Sequence, residues 1–581
     1  MARKKTHPSK QRQWYTMDLH IHTPASNDYQ QTEIGYLDLL KQAEKRGLDL
    51  IAFADHNTVA GYRHMMEEIE QLELLEKLER LLPDEQIRLQ EYRRLLKKIL
   101  ILPGFEFTAT FGFHILGIFS QDKTAREIEH ILLDLNIPPE KLDEGSVTVG
   151  ASVDVLTAYR VINEAGGIVI AAHANSSNGV AMRGFPFGGQ TKIAYTQDSN
   201  LHALEVTDLE HKGRRTTKAF FSGTKPEYPR RMHCIQGSDA HRLDSDSQRK
   251  KNLGVGERAT DVRLSDLSFD ALKELFLSND FARTRPHRAK AEKAYDFIQT
   301  AREEGANIIQ DFHEGMTVRG GKLYAIIADI CAFANTNGGT LYIGLNRNPN
   351  KPVAGITDTN QAITKLEKEI SNRISPPLHC TLDIHNVNRK GVVRILVPRG
   401  EDPPYAVDDS KIYLRTEAET GLAVRDEIVE MVLRGQRESL DAPSLAQLQT
   451  GGEVVQEKEP GQSESAPRTG VEIVSVEERK GVPYHTVRDL RNGNMVKNVT
   501  EKSARRLWHY AITQYHKLPD DLSKADVQWH NDLGLLRRQK RGKNVRFDLV
   551  QRIPNGYRYY FGVTDDGIHG AWKKVVGADD N

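Results

Sequence analysis

At 581 residues the chain is too long for one ordinary domain, and about three are expected. Lys plus Arg equals Asp plus Glu, at 80 each, so global charge favours no class of partner and any electrostatic function must come from local clustering. The cysteines Cys234, Cys331 and Cys380 have no paired spacing, which excludes a disulfide scaffold or a Cys-rich zinc finger and suits a reducing cytoplasm.

The N-terminus "MARKKTHPSKQRQW" is basic but lacks the apolar core of a signal peptide. No apolar run approaches the roughly 20 residues of a bilayer span. A soluble cytoplasmic protein is expected, with no membrane partner.

In chain order, the first half alternates short apolar runs with helix-length segments. The runs are "LDLIAFADHN", "KKILILPGFEF", "GFHILGIF", "GGIVIAAHAN", "LHALEVTD" and "MHCIQGSDAH". Such alternation predicts a parallel α/β sheet or barrel. Between about 62 and 100 a Glu/Leu/Arg-rich stretch, broken at "LLPDEQ", predicts a helical hairpin inserted into that domain. It either packs on its own barrel or serves as an arm for dimerisation or substrate grip.

From about Lys290 the pattern changes. "KLYAIIADICAFANTNGGTLYIGLN" predicts a helix, a Gly338-Gly339 turn and a strand; "GVVRILVPRG" and "KIYLRTEAET" add two more strands. The Gly/Ser/Pro/Gln-rich stretch after Gly435 has linker composition. A small α+β unit follows. The expected division is 1–290, 291–436, a linker at 437–470, and 471–581.

The apolar runs of the first half end in metal-ligand residue types. "MDLHIHTPAS" carries His20 and His22 on one side of a strand. Asp55 and His56, Glu106, His173, and Asp239 with His241 close four further runs. In parallel α/β folds the C-terminal strand ends form the active-site face, so these five strand ends converge. Imidazoles and carboxylates without thiolate suit Zn²⁺, Mn²⁺ or Fe, and are more numerous than one ion can use.

The ordered motifs "DLHIHT", "ADHN", "GFEFT", "AAHA" and "GSDAHR" resemble those of the polymerase and histidinol phosphatase (PHP) superfamily, over about Thr16 to Arg285. The resemblance implies a distorted (β/α)₇ barrel holding two or three divalent ions. By motif, His20, His22, Glu106 and Asp239 would ligate one ion, and His56 and His241 its neighbour. Asp28 falls where relatives carry a His or Asp ligand. His173 matches a ligand normally followed by Pro, here by Ala174, and His114 would serve a third ion. Asp18 and Asp55 would orient neighbouring histidines. His56, His114 or His241 would protonate the leaving group, and Arg183, in "AMRGFPFGG", would hold a substrate phosphate.

"IIADICAFANTNGGTLYIGL" with "PVAGITD", "VVRILVPRGEDPPYAV" and "KIYLRTEAET" resembles the AlbA-like domain of Schlafen proteins, over about Ala294 to Val432. Nucleic-acid binding is associated with that family. Where relatives carry Glu-Phe-Lys this chain has Asp311-Phe312-His313, and Asn346 replaces an acidic residue, so a binding module is expected rather than a second catalytic centre. No Walker-type loop follows Gly339. In the last unit Arg505, Arg506, Arg537, Arg538, Lys540, Arg541, Lys543 and Arg546 lie near Trp508, Tyr557, Tyr559 and Tyr560, a composition suited to phosphate contacts and base stacking.

The whole predicts a metal-dependent phosphodiesterase, a nuclease on DNA or RNA, in nucleic-acid processing or phage defence. Self-association would use the helical hairpin or the Schlafen-like unit. A small-molecule phosphatase of the histidinol-phosphate type and a non-catalytic nucleic-acid-binding regulator are the rival readings.

Overall fold

The computed structural model describes residues 12–577 except 32, 149–151, 177–178, 182–188, 212, 214, 246–251, 289–295, 441–465, 480, 492, 494, 502–503, 505, 520–521, 523–524, 542–543 and 555. It divides into two compact units, 1–222 with 230–297, and 223–229 with 298–581. Nothing in the local composition announces that 223–229 joins the second unit. No described helix is long and apolar enough to cross a membrane.

The first unit is a mixed α/β barrel built on one sheet. Its strands are β1 (Gln13–Ile21), β2 (Leu50–Phe53), β3 (Leu100–Thr108), β4 (His114–Ile118), β5 (Ile168–Ala171), β6 (Ala203–Glu205), β7 (His233–Ile235), β8 (Thr260–Leu264) and β9 (Thr284–Pro286). They lie in the order β7-β6-β5-β4-β3-β2-β1-β8-β9, and the two edge strands pack on each other, so the sheet is nearly closed. Helices α1 (Tyr36–Lys45), α2 (Ala60–Lys77), α3 (Pro83–Leu96), α4 (Ala125–Asp134), α5 (Val155–Glu164), α6 (Gly189–Gln197), α7 (Thr217–Phe220) and α8 (Phe269–Leu277) accompany it. The central strands are apolar on both faces because both are covered. One core links Met17 and Leu50 to Ile170, Ile235, Val262 and Leu272. The helical hairpin predicted at about 62–100 is α2 and α3, the latter opened by Pro83.

One expectation needs correcting: the sheet is not all parallel. Strand β4 runs antiparallel to both β3 and β5, and β8 antiparallel to β1 and β9. Residues 109–113 are too few for the crossover a parallel pair needs, so β3 and β4 form a hairpin. Its register sets Thr108 opposite His114. The first residue of β4 therefore stands at the same barrel end as the last residues of β3.

After 223–229 the second unit resumes at Ile298, within α9 (Phe297–Glu304), and continues into two four-stranded sheets. One is β10 (Gln310–His313), β11 (Gly339–Ile343), β13 (Thr381–Val387) and β14 (Lys390–Val397) in the order β10-β11-β14-β13; the other joins β12 (Ile374–Ser375), β15 (Ala406–Val407), β16 (Lys411–Thr416) and β17 (Glu419–Leu422). Helices α10 (Lys322–Asn335) and α11 (Thr359–Arg373) share a core with Leu341, Val393 and Ile395. Gly338, at φ +70°, turns the chain from α10 into β11, where a Cβ would fall 2.8 Å from the Arg399 nitrogen.

Helix α12 (Arg425–Leu440) extends into the stretch expected as linker, and 441–465 lie outside the described residues. A seven-stranded sheet then follows in the order β20-β19-β18-β24-β23-β22-β21. Its strands are β18 (Val471–Arg479), β19 (Val482–Asp489), β20 (Met495–Val499), β21 (Gln528–His530), β22 (Leu533–Arg541), β23 (Asn544–Ile553) and β24 (Gly556–Thr564). Helix α13 (Arg506–Tyr515) packs through Trp508 and Ile512 on Val471, Val487 and Phe561. Helix α14 (Trp572–Val575) packs with Phe547, Leu549 and Tyr560 in a separate core.

Candidate metal centre in the first unit

Glu106, fully buried in β3, is the hub. Its Oε1 lies 2.9 Å from His114 Nδ1 and 3.1 Å from His173 Nε2, and its Oε2 lies 2.8 Å from His56 Nδ1. His20 Nε2 is 3.4 Å from the same carboxylate, 3.3 Å from Asp239 Oδ1 and 3.1 Å from His22 Nε2. Asp28 Oδ2 is 3.3 Å from His56 Nε2 and 3.2 Å from His241 Nε2. The rings of His22 and His241 stack at 3.9 Å. Thus His20, His22, Asp28, His56, Glu106, His114, His173, Asp239 and His241 are brought together.

The strand ends supply the convergence. Two loop positions take uncommon backbone: His173 at φ +28° and Asp239 at φ +54°. Non-glycine residues rarely hold such angles, and they concentrate at functional sites. The loop carrying Asp239 is tied to β1 by Asp239 N donating to His20 O (2.9 Å) and His22 N to Ala240 O (3.0 Å).

Groups behind the rings fix their orientation. Ser26 Oγ–H donates to Asp55 Oδ1 (2.7 Å), so its oxygen accepts from His22 Nδ1–H (2.9 Å) and the lone pair of His22 Nε2 points into the cluster. Asp55 also accepts from Thr23 N and Oγ1, at 2.7 and 2.8 Å. Asp18 accepts from the backbone of His20 and Ser238, and burial pushes its carboxyl up to about 6.

His20 Nδ1–H donates to Glu205 Oε2 at 2.8 Å. Glu205 was missed in the sequence. It closes the short strand β6, the same strand-end position that singled out the others. Gly237 gives this pair room: a Cβ there would fall 2.9 Å from His20 Cβ and 3.3 Å from Glu205 Oε1.

Electrostatics follow from crowding buried carboxylates among imidazoles. Burial alone would raise Glu106, yet His114, His20 and His56 hold it well below the carboxylate range. Against the cost of burial, Glu106 and Asp28 draw His56 up to about 10, while burial and the neighbours His241 and His56 keep His22 well below its ordinary value.

The donor chemistry fits divalent ions. Buried His56 Nδ1 and Glu106 Oε2 face each other at 2.8 Å, yet neither makes a hydrogen bond. Three donor sets, His22/His56/His241, His20/His22/Asp239 and His56/Glu106/His114, each lie within 4.8 Å. The bare imidazole and carboxylate donors suit Zn²⁺, Mn²⁺ or Fe and leave their number open.

The other predicted residues fare differently. Arg183, Arg505 and Lys543 lie outside the described residues, as do the side chains of Arg506 and Arg541. Arg537, Arg538 and Lys540 are exposed on β22 but do not form one patch. Arg537 reaches Gln514 of α13 (3.1 Å), whereas Arg538 lies over the Phe547 ring in the other core, because successive side chains on a strand alternate faces. Trp508 (3% exposed) and Tyr560 (0%) are core residues rather than stacking surfaces.

In the middle region Asp311 is fully buried, with Arg415 Nη1 at 2.8 Å and Arg347 Nε donating at 2.7 Å. Asp329 of α10 pairs with His313 at 2.7 Å. Among the described residues no metal-donor set forms there.

Residues 305–423 match the family described as Schlafen, AlbA_2. That match lies in the second unit, while the five motifs that resemble those of the PHP superfamily lie in order on the barrel of the first. No curated protein matches it. Among solved structures it is similar to the lesion-specific endonuclease PfuEndoQ of Pyrococcus furiosus, at 14% identity over 47% of this chain and 58% of that one, TM-score 0.31. An Endonuclease Q complex with a 27-mer duplex bearing an abasic lesion gives 16% identity over 46% and 57%, TM-score 0.30. A protein of Bifidobacterium adolescentis described as a metal-dependent phosphoesterase gives 18% over 46% and 98%, TM-score 0.26. The match spans less than two thirds of either endonuclease chain.

Proposed function

We propose that the chain is a multi-metal-dependent phosphodiesterase acting on nucleic acid. The observation that carries the reading is the convergence of six imidazoles with Asp28, Glu106 and Asp239, in donor sets that share His22 and His56. Shared members make any ions held there neighbours. At such a site divalent ions supply water activation and charge neutralisation at the phosphate.

The chain's own residues would do the rest. Glu205, Ser26 and Asp55 orient His20 and His22 so that their Nε2 atoms face inward. His114 suits proton delivery to the leaving oxygen: Glu106 engages its Nδ1, and its Nε2 carries no hydrogen bond among the described residues. In this reading His56 and His241 are ligands first, both drawn to Asp28.

The Schlafen, AlbA_2 match at 305–423 supports nucleic acid over a small phosphate ester, through the nucleic-acid binding that the resemblance to that family implies. A role in nucleic-acid quality control or phage defence is part of the same proposal; phage plating unchanged by deletion across a broad panel would remove the defence arm.

The test is to strip the protein of metal, reload it with Mn²⁺ or Zn²⁺, and offer end-labelled single- and double-stranded DNA and RNA beside a His20→Ala/His22→Ala double variant. Metal-dependent cleavage lost in the variant is expected. Cleavage that survives it would refute the site; hydrolysis of small phosphomonoesters alone would favour the histidinol-phosphatase type.

A further inference from the structure

The C-terminal sheet carries an aromatic surface that the barrel chemistry does not use. Trp529, on edge strand β21, pairs in register with Gly534 of β22. A Cβ at Gly534 would fall 3.0 Å from Trp529 Cε3 and 2.9 Å from Val550 Cγ1. Its missing side chain lets the indole lie across the sheet toward Tyr557 of β24, with ring centroids 6.3 Å apart. Tyr559 lies two residues further and so on the same face, its ring 6.3 Å from that of Tyr557. Tyr557 is 43% exposed and Trp529 is partly exposed, in contrast to Trp508 and Tyr560 on the same domain, while Tyr559 is partly exposed at the border of the α13 core, 5.4 Å from the Tyr515 ring.

Cations accompany them. Arg552 is the register partner of Tyr557, and its exposed guanidinium sits 3.9 Å from the Trp529 ring centroid. Arg537 stands beside α13, bonded to Gln514. Arg537 stands opposite Asp548 on β23, so Arg552 is the cation placed against the rings. Partly exposed rings beside an exposed guanidinium match a ligand that offers both flat bases and phosphates. Only a single strand exposes its base faces, since a duplex stacks them inside.

We propose that Trp529, Arg552, Tyr557 and Tyr559 form a platform for single-stranded nucleic acid, with the rings stacking on bases and the arginine taking a phosphate. The partner class rests on the nucleic-acid reading above, but the platform is tested without cleavage.

The probe is oligothymidylate titrated into the full-length protein in EDTA. Of the four tryptophans, Trp508 and Trp572 are buried at 3% and 1% exposure, which leaves Trp529 and Trp14 to report quenching. Wild-type fluorescence should fall on binding, and Trp529→Phe should lose most of that change while keeping affinity within about threefold. Trp529→Ala/Tyr557→Ala should weaken binding roughly 10- to 100-fold, and Arg552→Glu should weaken it and flatten its salt dependence.

Hydrolysis of a chromogenic phosphodiester by metal-loaded protein serves as the independent readout of the barrel, and these variants should leave it unchanged. Should the double variant misfold, Trp529→Phe and Arg552→Glu, both mild surface changes, decide. The platform is overturned if wild type shows no binding, if quenching persists in Trp529→Phe, if Arg552→Glu binds like wild type, or if a proline-rich peptide competes for the site and the oligonucleotide does not. Binding as proposed with no phosphodiester hydrolysis would instead sink the barrel reading and leave the platform standing.

Discussion

Two buried charge clusters on this chain are built in opposite ways. In the second unit the carboxylate of Asp311 is closed off by Arg415 and Arg347, whose cations are permanent, and Asp329 is held by His313 and by the same Arg415 at 3.6 Å. In the barrel Glu106, Asp239 and Asp28 face only imidazoles, and His56 Nδ1 and Glu106 Oε2 are left without hydrogen bonds. A carboxylate answered by arginine is finished as structure. One answered by imidazole still accepts either protons or a divalent ion, because the same nitrogens serve both. The difference can be attacked from either side.

The largest expected effect is on the barrel. Glu106→Gln should lower metal-dependent phosphodiester hydrolysis on the order of a thousandfold, since several kcal/mol of charge stabilisation depend on the ions it would help hold and each decade is worth about 1.36 kcal/mol. Activity within tenfold of wild type would break the comparison.

From the other side, Arg415→Ala should destabilise the second unit by about 3–5 kcal/mol in urea unfolding, because it removes the fully buried cation that Asp311 and Asp329 share. Chromogenic phosphodiester hydrolysis under native conditions should persist. If activity fell while stability held, the second cluster would be chemical after all.

A smaller effect sharpens the contrast. Glu205→Gln keeps the shape behind His20 but weakens its grip on Nδ1, so Mn²⁺ affinity by calorimetry should fall about 10- to 100-fold. Unchanged affinity would remove Glu205 from the site.

Much of this was legible beforehand, and the gaps have physical causes. Ligand residue types at the ends of apolar runs identified the cluster because strand termini are where α/β folds gather chemistry. Glu205 escaped because β6 has only three residues, and its acidic end looked like the start of a loop. The direction of β4 is not written in its apolar run, yet the short span from Thr108 to His114 already excluded a parallel neighbour. Arg415 as partner of Asp311 could not be foreseen from residues so far apart in the chain. The basic run on β22 is not one patch, because composition ignores alternation: the strand sends Arg537 and Arg538 to different neighbours.

The smallest expected effect lies where the barrel closes. Asp261 accepts from Thr16 Oγ1 at 3.1 Å and from Arg285 Nε at 2.9 Å, and pairs with His287 Nδ1 at 2.8 Å, linking β1, β8 and β9. The hydrogen bond to Asp261 raises the His287 pKa. A raised imidazole contributes stability that is complete below its unfolded value of about 6.5 and is lost as pH rises through the folded value. Between pH 6 and pH 9 the wild type should lose more stability than His287→Ala, by less than about 1 kcal/mol, as the ring is partly exposed. Equal losses in the two proteins would remove this strut from the account.

The most direct test of the central claim is anomalous X-ray diffraction from crystals soaked in Mn²⁺. Two or three strong peaks are expected among His20, His22, Asp28, His56, Glu106, His114, His173, Asp239 and His241, and none at Asp311 and Asp329. Peaks at Asp311 and Asp329, or none within the barrel cluster at saturating Mn²⁺, would contradict it.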